Sequence, residues 1–305
     1  MPNDDQLHKD TAVLVFAYKR TGHLSQLLSH LLNEDIDHLY VFIDGPKSDR
    51  ESSAVNQVHA LCREICGASA RIVKRDRNWG LGPSIMDGVS AVLKKHEAVV
   101  VFEDDLCCSA GVMRYFRQAL EKYKNEEAVM SVTGWINPRA VPSAVSDRPY
   151  FDGRAECWSW GCWRRSWEGM DQSAQSIHDA CITRGIDPNA YGADLVRQAD
   201  FEASRKTWAA RWSLLHILRG CFCLRPHYPL VENRGFDDLA TNTSGHSTWG
   251  KPLELYPYID YVEWPEVAVE PECSLIWKAI HPEKKIPAKH GLLSRVLHKA
   301  KRIFS

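Results

Sequence analysis

An alternation in the first hundred or so residues constrains this chain more than any other feature. Short, continuous apolar runs are each followed by a segment whose apolar residues recur at helical spacing, with a repeat of about thirty residues. Thr11 to Tyr18 is the first run. It shows no polar alternation, so a strand made from it must be covered on both faces. Leu24, Leu27, Leu28, Leu31 and Leu32 then share one helical face behind Thr21, which is placed to cap that helix. Leu39 to Ile43 is a second strand, closed by Asp44-Gly45-Pro46, and Val55, Val58, Leu61, Cys62 and Ile65 mark the helix after it. Arg71 to Lys74 is a third. Pro83 falls in the first turn of the next helix, which carries Ile85, Met86, Val89, Val92 and Leu93. Ala98 to Phe102 is the fourth strand, and Glu103-Asp104-Asp105 ends it.

This order predicts an α/β fold with a mostly parallel central sheet flanked by helices. Ligands of such sheets bind beyond the carboxyl ends of the strands. Tyr18-Lys19-Arg20, Asp44-Gly45, Asn78-Trp79-Gly80 and Glu103-Asp104-Asp105 are therefore expected to converge, although each alone is ordinary loop chemistry. The second half differs. Nine of the eleven tryptophans lie between Trp135 and Trp264, four of them at Trp158, Trp160, Trp163 and Trp167. With no repeat or low-complexity linker between them, residues 1–134 and 135–265 are expected to pack as one unit, followed by an extension over 266–305.

Composition narrows the partners. The longest uninterrupted apolar run, Ala12 to Tyr18, is too short to span a bilayer. The MPNDDQLHKD start carries acids where an export signal needs a basic patch, so a cytosolic chain is expected. The ten cysteines include no Cys-x-x-Cys pair and sit in apolar neighbourhoods, as reduced core thiols do. From Lys284 onward the chain has seven Lys or Arg and no acid. Without them the body holds 31 basic residues against 39 acidic ones. An acidic body argues against nucleic acid as a partner.

The acidic triplet is the sharpest chemical signal. Like charges crowded at the mouth of an apolar strand raise each other's pKa unless a cation sits among them. Strand alternation would point Glu103 and Asp105 one way and Asp104 the other. One or two carboxylates plus substrate phosphates is a usual way to hold Mg²⁺ or Mn²⁺. The competing reading is a solvated turn, with Asp105 or Ser109 capping a helix from Val112 to Tyr123.

Six blocks in order bear on that choice. They are Val13-Leu14-Val15-Phe16-Ala17-Tyr18-Lys19-Arg20, Phe42-Ile43-Asp44-Gly45, Asn78-Trp79-Gly80-Leu81-Gly82, Val101-Phe102-Glu103-Asp104-Asp105-Leu106, the tryptophan block Trp158 to Trp167, and Pro229 to Asp237 with Gly245-His246 after it. Together they resemble the GT-A glycosyltransferases and, within them, a bacterial group akin to the N-acetylglucosaminyltransferase I family, over roughly residues 11 to 250. The resemblance implies a GT-A (Rossmann-like) sheet with a Trp-rich, acceptor-side half packed on it. Phe16, Tyr18, Arg20 and Asp44 would then hold the nucleobase and ribose of a nucleotide-sugar, a UDP-sugar in this reading. Asn78, Trp79 and Gly80 would lie beside the nucleotide, and Glu103 and Asp104 near the sugar. Asp105, with His246 as a further ligand, would bind the Mn²⁺ or Mg²⁺ that bridges the diphosphate.

An inverting transferase also needs a carboxylate base. The related family tends to carry an aspartate shortly before a tryptophan corresponding to Trp208, where this chain has Lys206-Thr207. Asp237, Asp238 and Glu156 are the remaining candidates. Indoles suit the C–H faces of a carbohydrate or glycolipid acceptor, although Trp208 and Trp212, at i and i+4, read as helix core. In the tail, Leu292, Leu293, Val296, Leu297, Ala300, Ile303 and Phe304 form a stripe beside basic residues. That is a pattern for peripheral contact with anionic membrane at the inner face, or for docking on the body. The rival readings are a sugar nucleotidyltransferase, whose glycine-rich basic signature is not evident here, and a non-catalytic binder that has lost its base.

Overall fold

The computed structural model describes residues 10–145, 147–205, 207–236 and 253–283. The expected α/β architecture is present. Strand β1 (Thr11–Ala17) pairs in parallel with β2 (Leu39–Ile43) on one side and β4 (Ala98–Glu103) on the other, and β2 pairs in parallel with β3 (Ala70–Lys74). Beyond β4 the sheet continues through β8 (Trp160–Trp163), β6 (Val129–Thr133), β9 (Phe222–Arg225) and β7 (Tyr150–Asp152). Strands β7 and β8 run antiparallel to their neighbours, and the other six share one direction. The sheet therefore crosses the boundary between the two halves without a break. A separate ribbon joins β5 (Leu106–Cys108) to β10 (Val231–Asn233).

The unbroken apolar runs do what two covered faces require. Along β1, Val13, Val15 and Ala17 enter one core with α1 (Thr21–Leu31), α2 (Asp49–Cys66) and α4 (Val112–Lys122). Ala12, Leu14 and Phe16 enter the other, with α3 (Leu81–Leu93), α6 (Ala174–Thr183) and α9 (Ala209–Arg219). Between α4 and α6 lies one short helix, α5 (Arg164–Trp167). Between α6 and α9 lie α7 (Asp194–Ala199) and α8 (Glu202–Arg205), and α10 (Glu272–Ile280) follows the ribbon.

Two capping expectations fail. Helix α1 begins at Thr21 itself, with Arg20 at the cap position and no side-chain hydrogen bond capping the helix. Helix α4 is capped by Gly111 in a left-handed conformation, so neither Asp105 nor Ser109 caps it. The Gly111 N–H instead donates to Glu34.

Most of the indoles are core. Trp160, Trp167, Trp208 and Trp212 form one buried cluster with ring centroids 5.2–6.4 Å apart. Beneath it, His216 is fully buried, hydrogen-bonded to Ser131 and to the Trp212 carbonyl. All ten cysteines are free thiols. No helix among the described residues is long and apolar enough to cross a membrane, and the basic tail lies outside them.

Burial lowers the His216 pKa to about 3. The unfolded chain, with an ordinary imidazole pKa near ~6.5, then binds the extra proton, so stability falls as pH drops from that value toward 3. In urea titrations, His216→Asn should flatten this acid slope by up to about 1.4 kcal/mol per pH unit. An unchanged slope would remove His216 as its source.

Candidate functional site

Four strand ends converge at the carboxyl edge of the sheet, and backbone hydrogen bonds fix them there. The Asp44 N–H donates to the Ala17 carbonyl, Arg75 N–H to Ile43, and Asp104 N–H to Phe16. Asp44 then organises the loop after β3. Its Oδ1 accepts from the Gly45 and Trp79 N–H groups, and its Oδ2 from the Gly80 N–H and the Asn78 amide, at 2.9–3.0 Å. Both oxygens of this buried carboxylate are occupied by that loop. Gly45 permits the approach, since a Cβ there would sit 2.3 Å from the Arg77 backbone. Trp79 is half-buried, one face covered by the Arg75 guanidinium 3.7 Å from the ring centroid.

The triplet sits beside this loop. Glu103 is the last residue of β4, opposite Phe16 in the register. The chain then turns, so strict strand alternation does not carry through Asp104 and Asp105. Asp104 accepts from the Tyr18 N–H at 2.9 Å. Both aspartates reach Arg20, with Nη1 2.5 Å from Asp105 Oδ2 and 3.9 Å from Asp104 Oδ1. Arg20 is buried and also donates to the Gly235 carbonyl. Burial, then the charges of Asp105 and Asp104, push the Glu103 carboxyl well above the usual range, while Arg20 pulls it down. Asp105 Oδ1 is buried with no hydrogen-bond partner among the described residues.

The ribbon closes this corner. Asn233 pairs with Leu106, and the Arg234 N–H donates to the Asp105 carbonyl. Gly235 lies so close that a Cβ would fall 2.1 Å from Asp105 Oδ2 and 2.7 Å from Arg20 Nη1. Trp158 is half-buried between Trp135 and Phe236, with centroids 4.7 and 5.9 Å away. It is the one member of the tryptophan block that faces this region.

Glu156 enters from the second half. It is buried and pairs with Arg225, whose Nη1 lies 3.1 Å from Oε1. Arg225 also holds Asp152 at 2.8 Å through Nε. Burial raises the Glu156 carboxyl, against the pull of Arg225 and Arg154. The neighbouring Cys157 thiol is pushed up by burial, then by Glu156 and Glu103, so both carboxylates act on one spot.

Among the other expected site residues, Tyr18 is tied by its hydroxyl to Glu51, with Lys19 Nζ 3.1 Å from the same carboxylate. The Tyr18 hydroxyl, the Lys47 N–H and Lys19 draw the Glu51 carboxyl down to about 2. Phe16 is buried against Phe42, so its carbonyl rather than its ring reaches the site. Asp237, Asp238, His246 and Lys206 lie outside the described residues. Glu51 and Arg225 escaped sequence reasoning, and Gly235 lay in the Pro229–Asp237 block without its closeness to Asp105 being foreseen. The available signal was a basic residue closing the apolar strand Phe222–Arg225, which requires an acid partner.

A separate cleft of about 700 Å³ is lined by His227, Tyr228, Tyr256 and Tyr261 with Asp147 and Asp260, and by none of the triplet. Among the described residues, no group of three or more His, Cys, Asp or Glu side chains is arranged to hold a metal by itself.

No protein-family model and no curated protein matches the sequence. Some solved structures are similar to part of this chain at low identity and low TM-score. A glucosyl-3-phosphoglycerate synthase from Mycobacterium tuberculosis, solved with Mn²⁺, UDP and glucosyl-3-phosphoglycerate, is 13% identical over 53% of this chain and 61% of its own, with TM-score 0.35. A mannosyltransferase from Pyrobaculum calidifontis, solved with GDP-Man and Mn²⁺, is 14% identical over 52% of this chain and 46% of its own, with TM-score 0.37. A mannose-1-phosphate geranyltransferase from Thermus thermophilus is 11% identical over 72% and 75%, with TM-score 0.39. This chain spans less than two thirds of the first two, and no residue role passes from any of them.

Asp44→Asn places amide hydrogens against backbone donors and should cost about 2–4 kcal/mol in urea unfolding. Gly235→Ala must separate Asp105 from Arg20 and should cost about 1–3 kcal/mol. Wild-type stability in either variant would contradict the corresponding packing.

Proposed function

We propose that this chain is a metal-dependent glycosyltransferase of the GT-A kind. In this reading it moves a sugar from a nucleotide-sugar, taken as a UDP-sugar, to a carbohydrate or lipid-linked acceptor. The observation that carries the reading is the buried, unpartnered Oδ1 of Asp105 within a carboxylate cluster where four strand ends meet. A strand-end corner that crowds negative charge and leaves one carboxylate oxygen unsatisfied fits a divalent cation better than an apolar ligand. One or two carboxylates are enough when substrate phosphates complete the shell.

Asp105 would hold Mn²⁺ or Mg²⁺, with His246 as a further ligand. The bound cation would supply Lewis-acid stabilisation of the departing diphosphate. Asn78, Trp79 and Gly80, on the loop held by Asp44, would lie along the nucleotide, with Tyr18 and the Phe16 carbonyl at its base end. Arg20 would balance charge beside the phosphates, and Glu103 and Asp104 would face the sugar. Glu156 is the described candidate for the base. As the acceptor oxygen bonds to the anomeric carbon and the bond to the diphosphate breaks, its carboxylate would take the acceptor hydroxyl's proton, with inversion. Asp237 and Asp238 are alternatives for that role. Trp158 would offer its ring to the acceptor. The narrower likeness to the N-acetylglucosaminyltransferase I group and the action at an inner membrane face belong to this proposal.

Purified protein should release nucleoside diphosphate from at least one member of a nucleotide-sugar panel with Mn²⁺, and EDTA should abolish it. Asp105→Ala should remove Mn²⁺-dependent UDP binding in calorimetry while the fold persists by circular dichroism. Pyrophosphate as the product would replace this reading with nucleotidyl transfer. Binding without turnover would make the chain a binder, and unchanged UDP affinity in Asp105→Ala would refute the site.

A further inference from the structure

Behind Glu156 lies a buried ion cluster that the proposed chemistry has not used. Arg154 grips Asp194 through two hydrogen bonds of 2.8 and 2.7 Å. Arg225 reaches Asp152 with Nε, Glu156 with Nη1 and the Arg154 carbonyl with Nη2. Asp152 accepts hydrogen bonds from Trp277 Nε1 on α10 at 2.8 Å and from the Arg154 N–H at 2.9 Å. Arg154 covers the Trp277 ring at 4.5 Å. His281 stacks on that indole, and its burial favours the neutral ring.

Charge counting distinguishes one member of this cluster. Arg154 is matched by Asp194 in a two-point pair, and Arg225 by fully buried Asp152. Glu156 is left as the surplus acid, holding only the remaining prong of Arg225. A buried surplus carboxylate is costly and is characteristic of a site that exchanges a proton or awaits a partner. A structural cluster could have been neutral with one residue fewer.

We infer that Arg225 is a positioning residue, aiming Glu156 at the substrate and tying that aim to helix α10 through Asp152 and Trp277. The inference rests on Glu156 as the base. The guanidinium is what makes the arrangement work, because one rigid plane donates to Glu156 through Nη1 and to the Arg154 carbonyl through Nη2 while its Nε edge lies 2.8 Å from Asp152 as an ion pair, a spread that an ammonium cannot reproduce. The groups facing Glu156 are Arg225 and Cys223 from β9, Asp152 and Tyr150 from β7, and Arg154 and Cys157 from the loop after β7. The phenol and both thiols stay neutral because burial raises them. Among the described residues, the two arginines and Asp152 are therefore the charged groups that act most strongly on Glu156.

Trp277→Phe keeps the ring and removes one N–H. Asp152 then draws more strongly on Arg225, and Glu156 holds its proton to higher pH. With the active member of the nucleotide-sugar panel and Mn²⁺, kcat should fall about five- to tenfold with KM within about twofold. The acid limb of the kcat profile should move upward, and so should the infrared carboxyl band that disappears in Glu156→Gln. Arg225→Lys, which preserves charge, should lower kcat at least as much. If Glu156→Gln is inactive while Trp277→Phe matches wild type in kcat, pH profile and carboxyl band, the positioning role is refuted and the base survives. If Glu156→Gln retains full turnover, the base assignment fails and this inference fails with it. If Trp277→Phe lowers melting temperature but moves neither the pH profile nor the band, the cluster is structural only.

Discussion

Three carboxylates at the end of an apolar strand cannot be left to repel one another, and the surrounding fold supplies the answer. Asp104 is neutralised by the Tyr18 N–H and by Arg20. One oxygen of Asp105 is taken by the same guanidinium. The ribbon from β10 then seals the pair, and only glycine at 235 allows the backbone to pass so close. After these contacts, Asp105 Oδ1 and the raised Glu103 carboxyl still favour additional positive charge. Arg20 compensates two aspartates and leaves the third acid crowded, so the corner is stable enough to fold yet electrostatically incomplete. That is the condition under which a weakly coordinated divalent cation gains affinity from its substrate phosphates.

Arg20 and Arg225 solve related problems differently. Arg20 lies where strand ends meet the loops, shared between adjacent aspartates and the Gly235 carbonyl. Arg225 is enclosed between two buried carboxylates, Asp152 and Glu156. Removing either would strand buried acids, which is usually far more damaging than the net worth of the pair. The first arginine thus sets the charge around Asp104 and Asp105, and the second pulls the Glu156 carboxyl down against the effect of its burial.

The sheet was legible because its runs are unbroken. Thr11 to Ala17 has no alternation to hide a face, and both of its faces are covered. The convergence of Asp44, Asn78 and the triplet followed from topology alone. What the sequence concealed were partnerships set by tertiary geometry. Nothing in the spacing says that Asp44 would spend four acceptor positions on residues 45 and 78–80, or that a turn at Asp104 would bring both aspartates to one arginine. The caps misled for a local reason. Thr21 and Ser109 have the right chemistry, but α1 is entered from Arg20 and α4 from Gly111, so Thr21 lies one residue inside its helix and Ser109 two residues before the cap of the other. The tryptophans looked alike in composition and separated only by depth, with Trp160 in the core and Trp158 at the edge.

The reversal of β8 explains how residues from the second half arrive beside the triplet. Strand β4 points its carboxyl end at the site, and β8 pairs with it in the opposite sense, Trp160 opposite Val101 and Trp163 opposite Ala98. The residues that precede β8, Glu156 to Ser159, are therefore delivered to the same edge where Glu103 emerges. A parallel strand would have left them at the far side of the sheet, some four residues of extended chain away, or roughly 13 Å. Antiparallel insertion between β4 and β6 also keeps Trp160 and Cys162 under the sheet while Trp158 stays half-buried. One strand direction thus decides whether the tryptophan block is only core or also reaches the carboxyl edge of the sheet. It also places the acid of Glu156 where the charge of Glu103 reaches the same thiol.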